Sequence, residues 1–249
     1  MTRQIDWHRR FSHQLSWTSN LRDHIYRNYD FDNCGKLLEI GCGTGALLLE
    51  IATKFPDIDL YGIDILASRI REARENLTKS GVNVNLKQMN CEQTSFQSAS
   101  FDIILTNLML LWVNDLNQCC REMHKILRDD GLFIIFSEPD YGGMIENPET
   151  GVKSALIKNL KENGADPLVG RKLSGAFTNT GFRIIDQYSS SVPWTANTSE
   201  MRKNLILELE FFKSLLSGED FDAEKMQVAI ESGNYFLYNP TFTFIAKKD

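Results

Sequence analysis

No apolar stretch of this chain approaches the ~18 residues that cross a bilayer, so no membrane span is expected. The first ten residues hold Arg3, Asp6, His8, Arg9 and Arg10 and no apolar core, so no secretory signal is expected there. Cys34, Cys42, Cys91, Cys119 and Cys120 form no C-x-x-C pair, which leaves neither a zinc spacing nor a disulfide framework. They read as reduced thiols, mostly small core fillers, in a cytoplasmic protein. Positive charge is not in excess: 27 Lys and Arg against 33 Asp and Glu give a net charge of −6, which argues against a nucleic-acid partner. Histidine is scarce too. His8, His13 and His24 do not share one helical face, and His124 lies among charged residues where it is expected to be solvated, so no metal site is expected. With no repeat, low-complexity tract or linker, residues 1–249 read as one domain: a helical cover at 1–30, a core at 35–137, and a cap with closing strands at 138–249.

Strands and helices alternate through the first half. Strands are expected at 36–40, 58–63, 82–89, 101–107 and 132–137, with helices at 45–54, 66–79 and 116–127 between them. Phe101-Asp102-Ile103-Ile104-Leu105 is a nearly continuous apolar run, as in a strand covered on both faces. Such alternation implies an α/β fold with a doubly wound, mostly parallel sheet. Before it, an imperfect apolar stripe from Arg10 to Tyr29 predicts one helix. After it, a Gly/Pro-rich loop is expected at 138–148, helices at 151–163, 172–179 and 200–216, and strands at 182–189 and 241–247. The last two strands, lacking a short crossover, suggest an antiparallel C-terminal edge on a seven-stranded sheet.

Everything else is organised around Leu38-Glu39-Ile40-Gly41-Cys42-Gly43-Thr44-Gly45. Closely spaced glycines let the backbone turn sharply and approach a ligand, and the helix N-terminus behind adds free N–H donors. Asp64, ending the second strand, can accept hydrogen bonds from ribose hydroxyls, although capping the next helix is its structural alternative. A dinucleotide site would prefer G-x-G-x-x-G, set around a pyrophosphate. Here the spacing is Gly41-x-Gly43-x-Gly45, and the carboxylate of Glu39 would repel a phosphate but suit a cation.

These residues resemble the first motif of the class I S-adenosylmethionine-dependent methyltransferases. Gly62-Ile63-Asp64, Asn90-Cys91-Glu92, Phe101-Asp102-Ile103-Ile104 and Leu127-Arg128-Asp129-Asp130-Gly131-Leu132 follow in that family's order, over about residues 35–137. The resemblance implies a Rossmann-like sheet and S-adenosyl-L-methionine as cofactor. Gly41, Cys42, Gly43 and Gly45 would pack on its methionine part and Glu39 would hold its amino group. Asp64 would take the ribose, and Ile65 would lie on the adenine. Asn90, Cys91 and Glu92 would sit near the adenine amine, in a turn that lacks the commoner Asp. Asn107 and Leu108 would line the transferred methyl. Trp17 and Arg22 resemble helix positions that close over the cofactor. The segment 164–173, with Arg171, resembles part of the substrate cap in enzymes related to the quinone C-methylating type.

Transfer from a sulfonium needs proximity and a dry site more than it needs a base. After the fourth and fifth strands the candidates are Trp112, Glu138, Asp140 and Tyr141, with Trp112, Asp140 and Arg171 read as substrate contacts. Tyr141 is read as catalytic, donating a hydrogen bond or acting as general base after a pKa shift. Asn107-Leu108-Met109-Leu110 lacks the prolines of the amino-methylating nucleic-acid enzymes. A small or medium-sized organic acceptor is therefore expected, with the protein a monomer or homodimer. A protein methyltransferase, a non-catalytic binder of the cofactor and a nicotinamide-dependent reductase are the alternatives.

Overall fold

The computed structural model describes residues 6–216 and 220–248. Two short helices come first, α1 (Trp7–Ser16) and α2 (Ser19–Asn28). The alternating half runs β1 (Lys36–Ile40), α3 (Ala46–Lys54), β2 (Asp59–Asp64), α4 (Ala67–Lys79), β3 (Asn85–Gln88), β4 (Phe101–Thr106), α5 (Leu116–Ile126) and β5 (Leu127–Pro139). Then follow β6 (Ile145–Asn147), α6 (Val152–Glu162), α7 (Leu173–Asn179), β7 (Phe182–Ser189), β8 (Trp194–Thr195), α8 (Ser199–Leu215), α9 (Ala223–Glu231), β9 (Phe236–Tyr238) and β10 (Thr241–Lys248).

The main sheet has seven strands in the order β3-β2-β1-β4-β5-β10-β7. β3 to β5 pair in parallel. The expected antiparallel addition is there, and its make-up is now resolved: β10 alone runs against the sheet, wedged between β5 and the outermost β7. Alternation along the central strands sends Leu38, Ile40 and Ile104 into one core and Leu37, Ile103 and Leu105 into the other. Burial on both faces is what the continuous apolar run of β4 required. Each such side chain contributes on the order of 1.5–3 kcal/mol of apolar burial. β1 and β4 are adjacent, while the chain leaves β1 toward β2 on one side. The carboxyl ends of β1, β2 and β4 therefore surround a crevice at the point where strand order reverses.

Two expectations needed correction. The helix expected from Arg10 to Tyr29 is two helices, broken at Trp17–Thr18, where the N–H groups of Trp17 and Thr18 donate three residues back to Gln14 and Leu15. Arg22 stabilises the break by reaching back to the Leu15 carbonyl (2.6 Å) and the Thr18 hydroxyl (2.8 Å), which an apolar stripe does not reveal. The stretch 138–148 is not all loop, because β6 pairs with β9, which also pairs with β8, in a separate three-stranded sheet. α9 was not foreseen. No helix among the described residues is long and apolar enough to cross a membrane.

Candidate active site

The loop after β1 turns through three glycines in the left-handed region, Gly41 (φ 68°), Gly43 (φ 53°) and Gly45 (φ 80°). This conformation strains any residue with a Cβ. Space is as tight as the backbone. A Cβ on Gly41 would lie 2.0 Å from the Met109 side chain, and one on Gly43 would lie 3.0 Å from the ring of Phe11 on α1. Asp64, at the carboxyl end of β2, braces the loop by accepting from the Gly43 N–H (3.0 Å) and the Leu66 N–H (2.9 Å). Its structural alternative, capping α4, is not realised: Leu66 holds the cap position and Asp64 closes a turn ahead of it, while a carboxylate's four lone-pair sites leave capacity for a ligand.

Glu39 is the unusual group. It is 4% exposed at the end of β1, and its Oε2 accepts no hydrogen bond from the described residues. Burial, and then the neighbouring carboxylates of Asp64 and Glu50, push its carboxyl well above the usual carboxylate range. An unpartnered buried carboxylate oxygen beside the glycine loop is a place for a cation. The residues present therefore fit an ammonium-bearing, ribose-bearing cofactor and do not fit a pyrophosphate.

The remaining residues expected at the cofactor ring the same strand ends. Ile65 and Leu66 follow Asp64 with 58% and 53% of their surface exposed, an apolar face offered to a flat ring. Asn90 folds its turn by accepting from the Glu92 N–H (2.9 Å), while Glu92 accepts from the Asp115 N–H (2.8 Å) at the start of α5. Cys91 lies between them, partly exposed. Leu108 holds a positive φ of 53°, and its N–H donates to the Ser137 carbonyl (2.8 Å). Asn107, just before it, has a buried, unpartnered Oδ1.

On the acceptor side the expected residues divide. Asp140 and Arg171 are engaged with each other, Arg171 donating from Nε (2.5 Å) and a terminal nitrogen (2.8 Å), and the Gly142 N–H adds a further bond (3.1 Å). This pair ties the residue after β5 to the segment 164–173, which packs through Gly170 against the carboxyl end of β5; Asp140 is buried in the pair, while the Arg171 side chain stays half exposed. Trp112 is half exposed on the turn after β4. Tyr141 is partly buried against the core, and desolvation pushes its hydroxyl up to about 12, with the Glu208 and Glu138 carboxylates pushing the same way and Arg10 opposing. That is the wrong direction for a general base, so the base reading of Tyr141 is withdrawn and donation remains.

Arg22 is a structural brace, also donating to Glu50 through Nε (2.9 Å) and a terminal nitrogen (2.6 Å). Trp17 packs edge-on against Trp194 of β8, with its indole N–H buried and unpartnered. His124 is not simply solvated: it stacks edge-on against Phe182, and burial lowers its pKa.

Sequence reasoning missed how α1 is used. His8 meets the Thr44 hydroxyl (3.0 Å) in the glycine loop, while Arg10 forms a two-pronged ion pair with Glu208 on α8. His13 adds a contact to Asn204 (3.3 Å). Spacing showed that α1 has a face but not what that face covers. Glu138 is fully buried. Its Oε1 accepts from the Met109 (2.7 Å) and Leu110 (2.8 Å) N–H groups, its Oε2 has no partner, and burial raises its carboxyl to about 7.

Reversed strand order, a left-handed glycine loop, an acid on each of two adjacent strands and an apolar ledge define a nucleoside-cofactor site of the methyl-donor type. A methyltransferase-domain family model matches residues 32–179, more than half of the chain, and the chain belongs to that family, whose methyl donor is S-adenosylmethionine. The malonyl-[acyl-carrier protein] O-methyltransferase of Geobacter sulfurreducens is 24% identical over 61% of this chain and 57% of its own length. A ubiquinone/menaquinone biosynthesis C-methyltransferase of Geotalea uraniireducens is 32% identical over 42% and 47%. The chain thus spans about half the length of these two curated relatives. In fold it resembles the geranyl diphosphate C-methyltransferase of Streptomyces coelicolor, solved with Mg2+, geranyl diphosphate and S-adenosyl-L-homocysteine. The TM-score is 0.62 at 13% identity, covering 95% of this chain and 79% of that one.

Proposed function

We propose that this chain transfers the methyl group of S-adenosylmethionine to a small or medium-sized organic acceptor. One observation carries the reading: the buried, unpartnered carboxylate oxygen of Glu39, beside a glycine loop braced by Asp64. Glu39 would hold the cofactor's ammonium and Asp64 its ribose hydroxyls. Ile65 would face the adenine, with Cys91 near its edge, and Asn107 would accept near the reacting end. When bound, the cofactor supplies a methyl group on a sulfonium, open to in-line displacement. α1 excludes water by laying Phe11 over the loop.

Glu138 is the candidate proton acceptor. Its Oε1 fixes the loop after β4 and its Oε2 is free to take a proton from the acceptor. Tyr141, which keeps its proton, donates to the acceptor. The relatives' names cover transfer to oxygen in a malonyl-[acyl-carrier protein] and to carbon in quinone biosynthesis, and both nucleophiles suit a site with one buried base.

The test is incubation with labelled S-adenosylmethionine and a panel of organic acids, phenols, quinones and isoprenoid diphosphates, measuring S-adenosylhomocysteine and methylated product. Turnover is expected with at least one class, rising through about pH 7 as Glu138 ionises, and without that rise in Glu138→Gln. Cofactor binding with no product from any class would turn the assignment to a non-catalytic binder.

A further inference from the structure

The thiols of Cys91 and Cys119 lie 3.6 Å apart, with Cys119 donating to Cys91. They come from different elements. Cys119 is fully buried in α5, whereas Cys91 is partly exposed in the turn after β3. A disulfide needs about 2.05 Å between sulfurs, so a closure of roughly 1.5 Å would join them. The turn can supply that movement and the helix cannot. α5 is embedded in the core, whereas the turn is held by a single isolated bridge between Asn90 and Gln93 and by contacts that already run to α5. Gln118 donates to the Glu92 carbonyl (3.1 Å) and the Asp115 N–H donates to the Glu92 carboxylate (2.8 Å). At its other end the turn leans on the ribose acid, the Met89 N–H donating to the Asp64 carbonyl (3.0 Å).

We propose that Cys91 and Cys119 are a thiol-oxidation site, converted to a disulfide by hydrogen peroxide, and that the bridge weakens cofactor binding. The second half rests on the cofactor reading above. The Cys91 thiolate attacks the peroxide O–O bond. A sulfur–oxygen bond forms, hydroxide leaves and takes up the proton lost from Cys91, and sulfur is oxidised by two electrons. Cys119 sulfur then displaces hydroxide from that sulfenic acid, its own thiol proton departing with the hydroxide as water. Two thiols and one hydrogen peroxide become one disulfide and two waters. Its hydrogen bond to Cys91 and its burial push the Cys119 thiol up, which leaves the partly exposed Cys91 as the sulfur that meets peroxide first. Cys120 is buried beside it but makes no such contact with Cys91. Bridging draws the Cys91 backbone toward α5 and removes a thiol from the adenine side of the site.

The experiment treats the protein and its Cys91→Ser, Cys119→Ser and Cys120→Ser variants with hydrogen peroxide. Bridges are mapped by mass spectrometry after cleavage at Glu92, which separates Cys91 from Cys119. S-adenosylmethionine is then titrated calorimetrically before and after dithiothreitol. The expected result is a bridge in the wild type and in Cys120→Ser and none in the other two. Wild-type affinity should fall about tenfold on oxidation and return on reduction, as for loss of one or two cofactor hydrogen bonds. A bridge through Cys120, no bridge, or a bridge with unchanged affinity overturns the proposal. Cys91→Ser, altered on a surface turn, keeps the test intact if the buried Cys119→Ser fails to fold. A reduced protein that does not bind S-adenosylmethionine would count against the cofactor reading, while the mapped bridge still decides the thiol pair.

Discussion

Glu39 shows how one residue can report on its ligand. Without a cation beside it the carboxyl is held well above its ordinary range, by burial first and then by the Asp64 and Glu50 carboxylates, which favours its protonated form. A bound ammonium reverses that balance and favours the carboxylate. Cofactor binding should therefore release protons, and affinity should rise as pH rises through the raised titration of the free Glu39 carboxyl. Titration calorimetry at one pH in buffers of different ionisation enthalpy measures the release directly, and Glu39→Gln should abolish it. Proton uptake, or an unchanged release in the variant, would place the ammonium elsewhere. The type and place of Glu39 could be read from the chain, because an acid before a glycine loop is conspicuous. Its missing partner could not, since that depends on what every other strand end fails to supply. Asp140 and Arg171 show the converse: two residues with the right chemistry for a substrate satisfy each other once folded.

At the level of elements, the glycine loop and α1 act together. Gly41 and Gly81 both hold a positive φ, but a Cβ on Gly41 would strike Met109, whereas around Gly81 nothing lies within 4 Å. Gly81→Ala should cost only backbone strain, about 1–2 kcal/mol, and leave cofactor affinity unchanged. Gly41→Ala should cost more and weaken cofactor binding as well, because Met109 must move out of the loop. Thermal unfolding together with cofactor titration separates the two, and equal effects would contradict the packing described here. The elements easiest to read were those with strong periodicity and clear stops, such as α4 ending at Ser80-Gly81 and the apolar β4. The hardest were β6, β8 and β9, of three residues or fewer, which are too short for alternation to register. The break between α1 and α2 depends on the Arg22 guanidinium returning to a carbonyl, a tertiary effect that local pattern does not carry.

Across the whole molecule, α1 joins two regions that the sequence presents as separate. His8 contacts the cofactor loop, while Arg10 and His13 reach α8 of the second half, so the cover, the core and the cap meet over the strand ends. The sheet itself was legible because a parallel α/β core repeats one pattern. The second half was less so, because its helices pack on each other and on a small sheet without a repeating unit. The central claim is that the crevice between β1, β2 and β4 holds S-adenosylmethionine by Glu39 and Asp64. Its most direct test is calorimetric titration of the wild type and Asp64→Ala with S-adenosylmethionine and, separately, with NADPH. The expected result is saturable binding of S-adenosylmethionine alone, weakened in Asp64→Ala by about 1–3 kcal/mol, the usual cost of stranding buried hydrogen-bond partners. NADPH binding without S-adenosylmethionine binding, or an affinity that ignores the loss of Asp64, would contradict it.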